Sequence, residues 1–371
     1  MPSTTTSAER LTASDRPGVA QPVPERHVPN RAWPRVLLGA VIVAATLIGA
    51  WEWHWRAYGA VPGILDNEGL WAMQRRRIDT GEGSRTVLIG SSRTFFDVQL
   101  PVWEKLSGQR PIQLGLIGTS PISVLEDLAE DPKFTGQLLI GVAPDLFFSG
   151  YQFKAGMPRY FHRESPSQRV GQYLSMRFVE PYVAFLDGDY ALFTVIERQA
   201  WPERPGRPTH LHVRKLSVTE ADRNNYMWSK VETDPEYAAL ARKIWAQNFG
   251  GPAPTTAEIA AHHAAVDKEI DRAAAAVAKL RARGVAVIFV REPSAGDYLA
   301  DEDKGFPRAT SWEPLLAKTG APGIHFQDYP EMQHYDIPEW SHLSHASALQ
   351  YTTDLYRILE RDHPLPDGRR W

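Results

Sequence analysis

With 371 residues, 43% of them hydrophobic, the chain is long enough to bury one large globular core or two small ones. Its 41 basic and 44 acidic residues leave a net charge of −3 without any Lys/Arg block, so nothing directs it toward nucleic acid or another polyanion. Cysteine is absent, which excludes disulfides, thiol catalysis and zinc-thiolate sites.

Residues 1–32 are rich in Ser, Thr, Pro and Arg and read as a disordered tail. Residues 36–51 then run without a charge. At ~1.5 Å per residue they span ~24 Å, short of a ~30 Å hydrocarbon core, but Trp33, Trp51, Trp53 and Trp55 flank them as interfacial anchors. A single transmembrane helix over 33–56 is therefore expected. A cleaved leader is the rival reading, disfavoured by the long segment before it and by the poor cleavage site at Ile48-Gly49-Ala50. Arg10, Arg16, Arg26, Arg31 and Arg35 precede the span, and only Arg56 follows closely before Arg75-Arg76-Arg77. The positive-inside rule then predicts a cytoplasmic N-terminus and an exported body over 57–371.

Beyond the anchor, residues 86–89, 112–116 and 137–142 have strand character, with helical stretches at 100–106 and 122–130 between them. Later, 256–283 carries Val266, Ile270, Ala273, Val277 and Leu280 at helical spacing and stops at Gly284. Strand-like runs at 285–290 and 324–327 precede a final helix. The rhythm predicts an α/β domain around a mostly parallel five-stranded sheet covered on both faces, with ligands at the carboxyl ends of strands. Residues 149–254 lack periodicity and are rich in Tyr, Phe, Trp, Pro and Arg, as an insertion over the sheet's edge or top would be. Such side chains line a glycan cleft, but packing of an irregular cap is the more ordinary role and the favoured reading.

Two motifs carry chemistry. In Val87-Leu88-Ile89-Gly90-Ser91-Ser92-Arg93, a buried strand feeds a Gly-Ser-Ser turn, where an α/β fold presents a nucleophile. In Glu339-Trp340-Ser341-His342, a carboxylate stands three residues before a histidine. A serine hydroxyl attacks an ester only if a base takes its proton, and an anion behind that base stabilises the imidazolium. Each motif has a plainer reading: serine caps βα turns, and histidine is often a polar residue near a helix start. Arg93, Arg291 and Tyr298 lie where they would line the same crevice, although a solvated Arg93 and an ordinary turn at 291–298 are the alternatives. His334, Asp336, Glu339, His342 and His345 gather ligand-type side chains, but no His-Glu-x-x-His or comparable signature joins them, and neither a metal nor an organic cofactor is expected.

Over about 86–361, these motifs and their order resemble the SGNH (GDSL-like) hydrolases, particularly the membrane-anchored envelope branch that includes proteins of alginate O-acetylation and teichoic-acid D-alanylation. Gly90-Ser91-Ser92 is similar to the first block of that family, which implies Ser92 as nucleophile. Gly115-Leu116-Ile117-Gly118 resembles the second block, implying that the backbone N–H groups of Ser92 and Gly118 form the oxyanion hole. Glu339-Trp340-Ser341-His342 stands where the family has Asp-x-x-His, with His342 as base and Glu339 as its orienting acid. The third block, which usually supplies an Asn donor, is represented only by Gly141-Val142-Ala143-Pro144-Asp145. The resemblance implies a flavodoxin-like three-layer fold in a bacterial inner-membrane protein. It also implies an acyl-enzyme at Ser92, O-acetyl transfer or ester hydrolysis on an envelope polysaccharide, and other envelope-modification proteins as partners. A non-catalytic scaffold or glycan-binding subunit is the competing expectation.

Overall fold

The computed structural model describes residues 29–199, 201–202, 206, 210–250, 253–365 and 368–371, so most of the expected tail, up to residue 28, lies outside the described residues. The chain divides into two units, 1–51 and 52–371. Most of helix α1 (Trp33–Tyr58) belongs to the first. At ~1.5 Å per residue its 26 residues reach ~39 Å, because the helix continues at both ends past the uncharged run. It buries no residue, and Val36, Leu37, Leu38, Val41, Ile42, Val43, Leu47 and Ile48 are all exposed. This one N-terminal helix is long and apolar enough to cross a membrane.

The second unit is an α/β domain. Helix α2 (Glu68–Arg77) leads into β1 (Thr86–Ile89), α3 (Ser92–Asp97), α4 (Leu100–Ser107), β2 (Ile112–Gln113), α5 (Ile122–Glu130), β3 (Gln137–Gly141) and α6 (Pro144–Phe147). The insertion follows with α7 (Met157–Arg163), α8 (Pro166–Phe178), α9 (Leu192–Glu197), an antiparallel hairpin of β4 (Ser217–Thr219) and β5 (Asn225–Met227), α10 (Ser229–Thr233) and α11 (Pro235–Ala246). The remainder is α12 (Thr256–Ala282), β6 (Ala286–Arg291), α13 (Gly296–Gly305), α14 (Trp312–Thr319), β7 (Gly323–His325) and α15 (His345–Asp362).

Five strands form one sheet in the order β2-β1-β3-β6-β7, parallel throughout. Side-chain alternation sorts its core into two layers. Val87, Ile89, Leu138, Ile140, Val287 and Phe289 face α2, α5, α12 and α14, whereas Leu88, Leu139, Ile288, Val290 and Ile324 face α4 and α15. Burial on both faces explains the unbroken apolar runs that mark these strands in the sequence. The chain steps from β1 outward to β2 and returns beyond β1 to β3, so the loops leaving β1 and β3 diverge at the sheet's topological switch point.

At that point the backbones come very close. A Cβ on Gly90 would collide with the Thr94 side chain, and one on Gly141 with the Thr94 hydroxyl and the Glu292 carboxylate. Thr94 donates to Glu292 Oε1 at 2.5 Å through this gap. The basic run Arg75-Arg76-Arg77 is fixed within the body: Arg75 is 1% exposed and pairs with Asp127 and Asp131, Arg76 pairs with Glu164, and Arg77 with Glu82.

Two outcomes are expected from this packing. Gly141→Ala overfills the switch point and lowers the unfolding free energy by roughly 1–3 kcal/mol in denaturant titration. His325 on β7 is buried beside Trp312, and burial pushes its pKa down to about 3. The unfolded chain therefore binds a proton that the folded one refuses between pH 6.5 and about 3, so this residue makes stability fall as pH falls through that window. At pH 5 the contribution is about 2 kcal/mol, and His325→Gln should flatten the difference between thermal unfolding at pH 7 and pH 5. An unchanged difference would refute it.

Candidate active site

Ser92 is the first residue of α3, directly after β1 and the Gly90-Ser91 turn. It is 9% exposed, and its hydroxyl makes no hydrogen bond among the described residues. Beyond β2 the chain keeps running alongside this turn, with Leu114 N–H donating to Leu88 O (2.8 Å) and Leu116 N–H to Gly90 O (2.9 Å). That register carries Gly118, at φ +59°, toward the start of α3. The amides of Ser92 and Gly118 donate to no acceptor among the described residues, which leaves two backbone donors in this neighbourhood for an anionic oxygen.

The histidine arrives from the far edge of the sheet. After β7 the chain returns across the carboxyl ends of the strands and is tied to α3 at three successive residues. Arg93 Nε donates to Ser341 O (3.0 Å), the His342 ring stacks on Phe96 with 4.2 Å between centroids, and Leu343 N–H donates to Asp97 Oδ1 (3.0 Å). Phe96 lies one helical turn after Ser92, on the same face of α3.

Glu339 and His342 are fully joined. Oε1 of Glu339 accepts from His342 Nδ1 (2.7 Å) and from the His342 backbone N–H (2.6 Å), and Oε2 accepts from the Trp245 indole (2.5 Å). The longer glutamate side chain thus still brings its carboxylate onto the imidazole. Trp340, between them, adopts φ +75°, a conformation costly for a bulky residue. Its backbone carbonyl accepts from Ala295 N–H (2.9 Å), and a Cβ on Gly296 would strike its indole, so α13 holds this turn in place. His342 Nε2 is buried without a hydrogen-bond partner among the described residues. The structure therefore brings Glu339 and His342 into contact beside the helix that Ser92 heads, while Ser92 and His342 do not bond to each other.

Arg93 and Arg291, expected to face substrate, are occupied within the protein. They are 1% and 3% exposed and share one carboxylate, with Arg93 Nη1 and Arg291 Nη2 each 2.7 Å from Glu302. Burial alone would raise the Glu302 carboxyl, but the two guanidinium charges outweigh it and hold the group below the usual range. Arg93 also stacks over the Tyr298 ring at 5.0 Å, and the Tyr298 hydroxyl donates to Asp145 Oδ2 at 2.9 Å. Burial pushes Asp145 up, toward its neutral form, and does the same to Asp97 and Glu292. These residues position α3 and the strand ends. Of the ligand-type cluster, His342 faces Phe96 while His345 faces Tyr226, and no group of three or more metal-ligand side chains converges among the described residues.

Several residues that build the site carry no local signal in the sequence. Trp245 comes from α11, in the aperiodic insertion. So does Arg223, a buried residue at φ +65° whose guanidinium bonds Asp66, Gln113 O and Gly115 O and lies 4.4 Å over Phe95. It clamps the β4–β5 hairpin to the segment that leads to Gly118. Neither the family models nor the curated proteins give a match to this chain.

Replacing the indole donor tests the carboxylate's support. Trp245→Phe leaves one oxygen of a fully buried Glu339 without its partner and should cost about 1–3 kcal/mol in thermal or denaturant unfolding. A loss under ~0.5 kcal/mol would show that the indole bond carries no weight.

Proposed function

We propose that this chain is a membrane-anchored SGNH-type acyl-transfer enzyme acting through Ser92, with His342 as general base and Glu339 as the acid that orients it. One observation carries the reading: a buried Glu339–His342 pair leaves Nε2 unpartnered beside the helix that begins with Ser92. The strand order, which is that of flavodoxin-like folds, and the position of Ser92 at the switch point support it.

In the proposed reaction, rotation of the Ser92 side chain brings Oγ to Nε2. Oγ attacks the ester carbonyl as Nε2 takes its proton, and the developing oxyanion is met by the N–H groups of Ser92 and Gly118. Collapse expels the alcohol, which takes the proton from His342, and leaves an acyl-Ser92. Water or a sugar hydroxyl then attacks this intermediate, giving hydrolysis or transfer. Glu339 keeps the proton of the neutral imidazole on Nδ1, so that Nε2 is the free acceptor. No Asn donor follows β3, and the raised pKa of Asp145 weakens the repulsion an ionised carboxylate would exert on an oxyanion.

The uncharged run of α1, with five arginines before it, fits a single-pass inner-membrane protein with a cytoplasmic N-terminus. An extracytoplasmic body then meets an O-acylated, most simply O-acetylated, envelope polysaccharide and other envelope-modification proteins. Full-length protein in detergent should be labelled by a fluorophosphonate at Ser92, as located by mass spectrometry. Ser92→Ala and His342→Ala should each abolish the adduct. Absence of labelling in a folded preparation would favour a scaffold or glycan-binding subunit instead.

A further inference from the structure

With α9, which also buries no residue, helix α8 breaks the pattern of the rest of the body. It is a well-formed element: Ser165 and Gln168 make a reciprocal capping box, and Pro166 occupies its first position. Yet none of its 13 residues is buried. It rests on α2, where Gln172 lies against Gly69, and turns its apolar residues outward. Val170, Tyr173, Leu174 and Phe178, at helical spacing i, i+3, i+4 and i+8, are 57%, 59%, 47% and 63% exposed. Exposed apolar residues follow along the chain at Val179 and Tyr182 and again at the start of α9, where Leu192 and Phe193 are 57% and 80% exposed. A stripe of this kind is too large and too ordered to be scattered surface apolarity.

What covers it is indicated by its attachment. Residues 52–56, which directly follow the apolar run of α1, hold the connection between α8 and α9. Glu52 accepts from the backbone N–H groups of Ala184 (2.9 Å) and Phe185 (3.0 Å), Arg56 donates to Tyr182 O (3.0 Å), and Trp55 stacks on Tyr190 at 4.8 Å. The exposed stripe is thus fastened to the chain at the point where a transmembrane α1 would leave the bilayer. Arg159, Arg163 and Arg177, also exposed, form no ion pair among the described residues and are available to lipid phosphates.

We propose that α8, the 179–182 turn and the start of α9 form an interfacial surface that lies in the headgroup region of the bilayer. The body then meets the bilayer through a face of its own, in addition to the span that leads into it. Aromatic side chains and arginines are suited to that depth, where one end of a side chain meets acyl chains and the other meets water and phosphate. The proposal rests on α1 spanning the membrane, and the experiment separates the two.

The absence of cysteine makes the test direct. Full-length single-cysteine variants Leu174→Cys, Phe178→Cys and Phe193→Cys, spin-labelled and placed in nanodiscs of 7:3 phosphatidylcholine and phosphatidylglycerol, report depth by oxygen against nickel-chelate collision rates. Val43→Cys within α1 serves as the span reference. Lys105→Cys on α4 and Gln350→Cys on α15, in the layer across the sheet from α2, serve as water references. Labels at 174, 178 and 193 should favour oxygen several-fold over the water references, at a depth shallower than the label at 43. If the label at 43 reads lipid and these three read water, the interfacial surface is refuted while the span stands. Low collision with both reagents would mean that protein covers the face, which also refutes it. If the label at 43 itself reads water, the span falls, and the interfacial surface falls with it.

Discussion

The arrangement of this site depends on how one buried positive charge is satisfied. Arg93 follows the candidate nucleophile directly and is 1% exposed, and an unpaired guanidinium at that depth would cost several kcal/mol. Its partners set the positions of three elements at once. Ser341 O belongs to the histidine loop, Glu302 to α13, and the Tyr298 ring beneath the guanidinium leads on to Asp145 after β3. Satisfying the charge therefore draws together the ends of β1, β3 and β6 and the loop that carries His342. Arg291 adds a second positive charge to the same Glu302 carboxylate, so removal of Glu302 would strand two cations in the interior.

Around that network the protein holds several carboxyls at 0% exposure or close to it. Glu292 accepts from Thr94, Asp97 from the Leu343 backbone, and Glu339 from three donors. Their bonding differs in kind. The three donors at Glu339 are the imidazole and backbone N–H of His342 and the Trp245 indole, so both of its oxygens are engaged. Asp97 and Glu292, with fewer donors and deep burial, are pushed toward the neutral form and behave as fasteners between α3, β6 and the histidine loop.

Much of the frame was legible because buried parallel strands and amphipathic helices write themselves locally. The pattern at 86–89 and 122–130 coincides with β1 and α5, and that at 256–283 with α12 to within a residue. β7 starts one residue earlier than its apolar run and ends sooner, because Phe326 already begins a turn. The contact of Glu339 with His342 follows from a spacing of three in a turn, which sequence can express. The roles of Arg93, Arg223 and Trp245 could not be read that way. A buried arginine looks like a solvated one until its partner, 108 to 248 residues away, is folded against it. The insertion hid its contribution for the same reason: the hairpin and α11 act through long-range contacts with α3, Gln113 and Glu339, with no periodicity of their own.

The tie between Arg93 and Ser341 spans 248 residues, and it has a consequence for the order in which the molecule acquires its parts. A ribosome delivers β1 and Ser92 more than two hundred residues before the histidine loop. Until residues 339–343 have been made, Ser92 stands at the head of a short helix without the Glu339–His342 pair beside that helix, and the Arg93 cation lacks its partner at Ser341. A nascent chain, or one clipped before residue 339, therefore lacks this arrangement, which forms only once the loop has folded back onto α3.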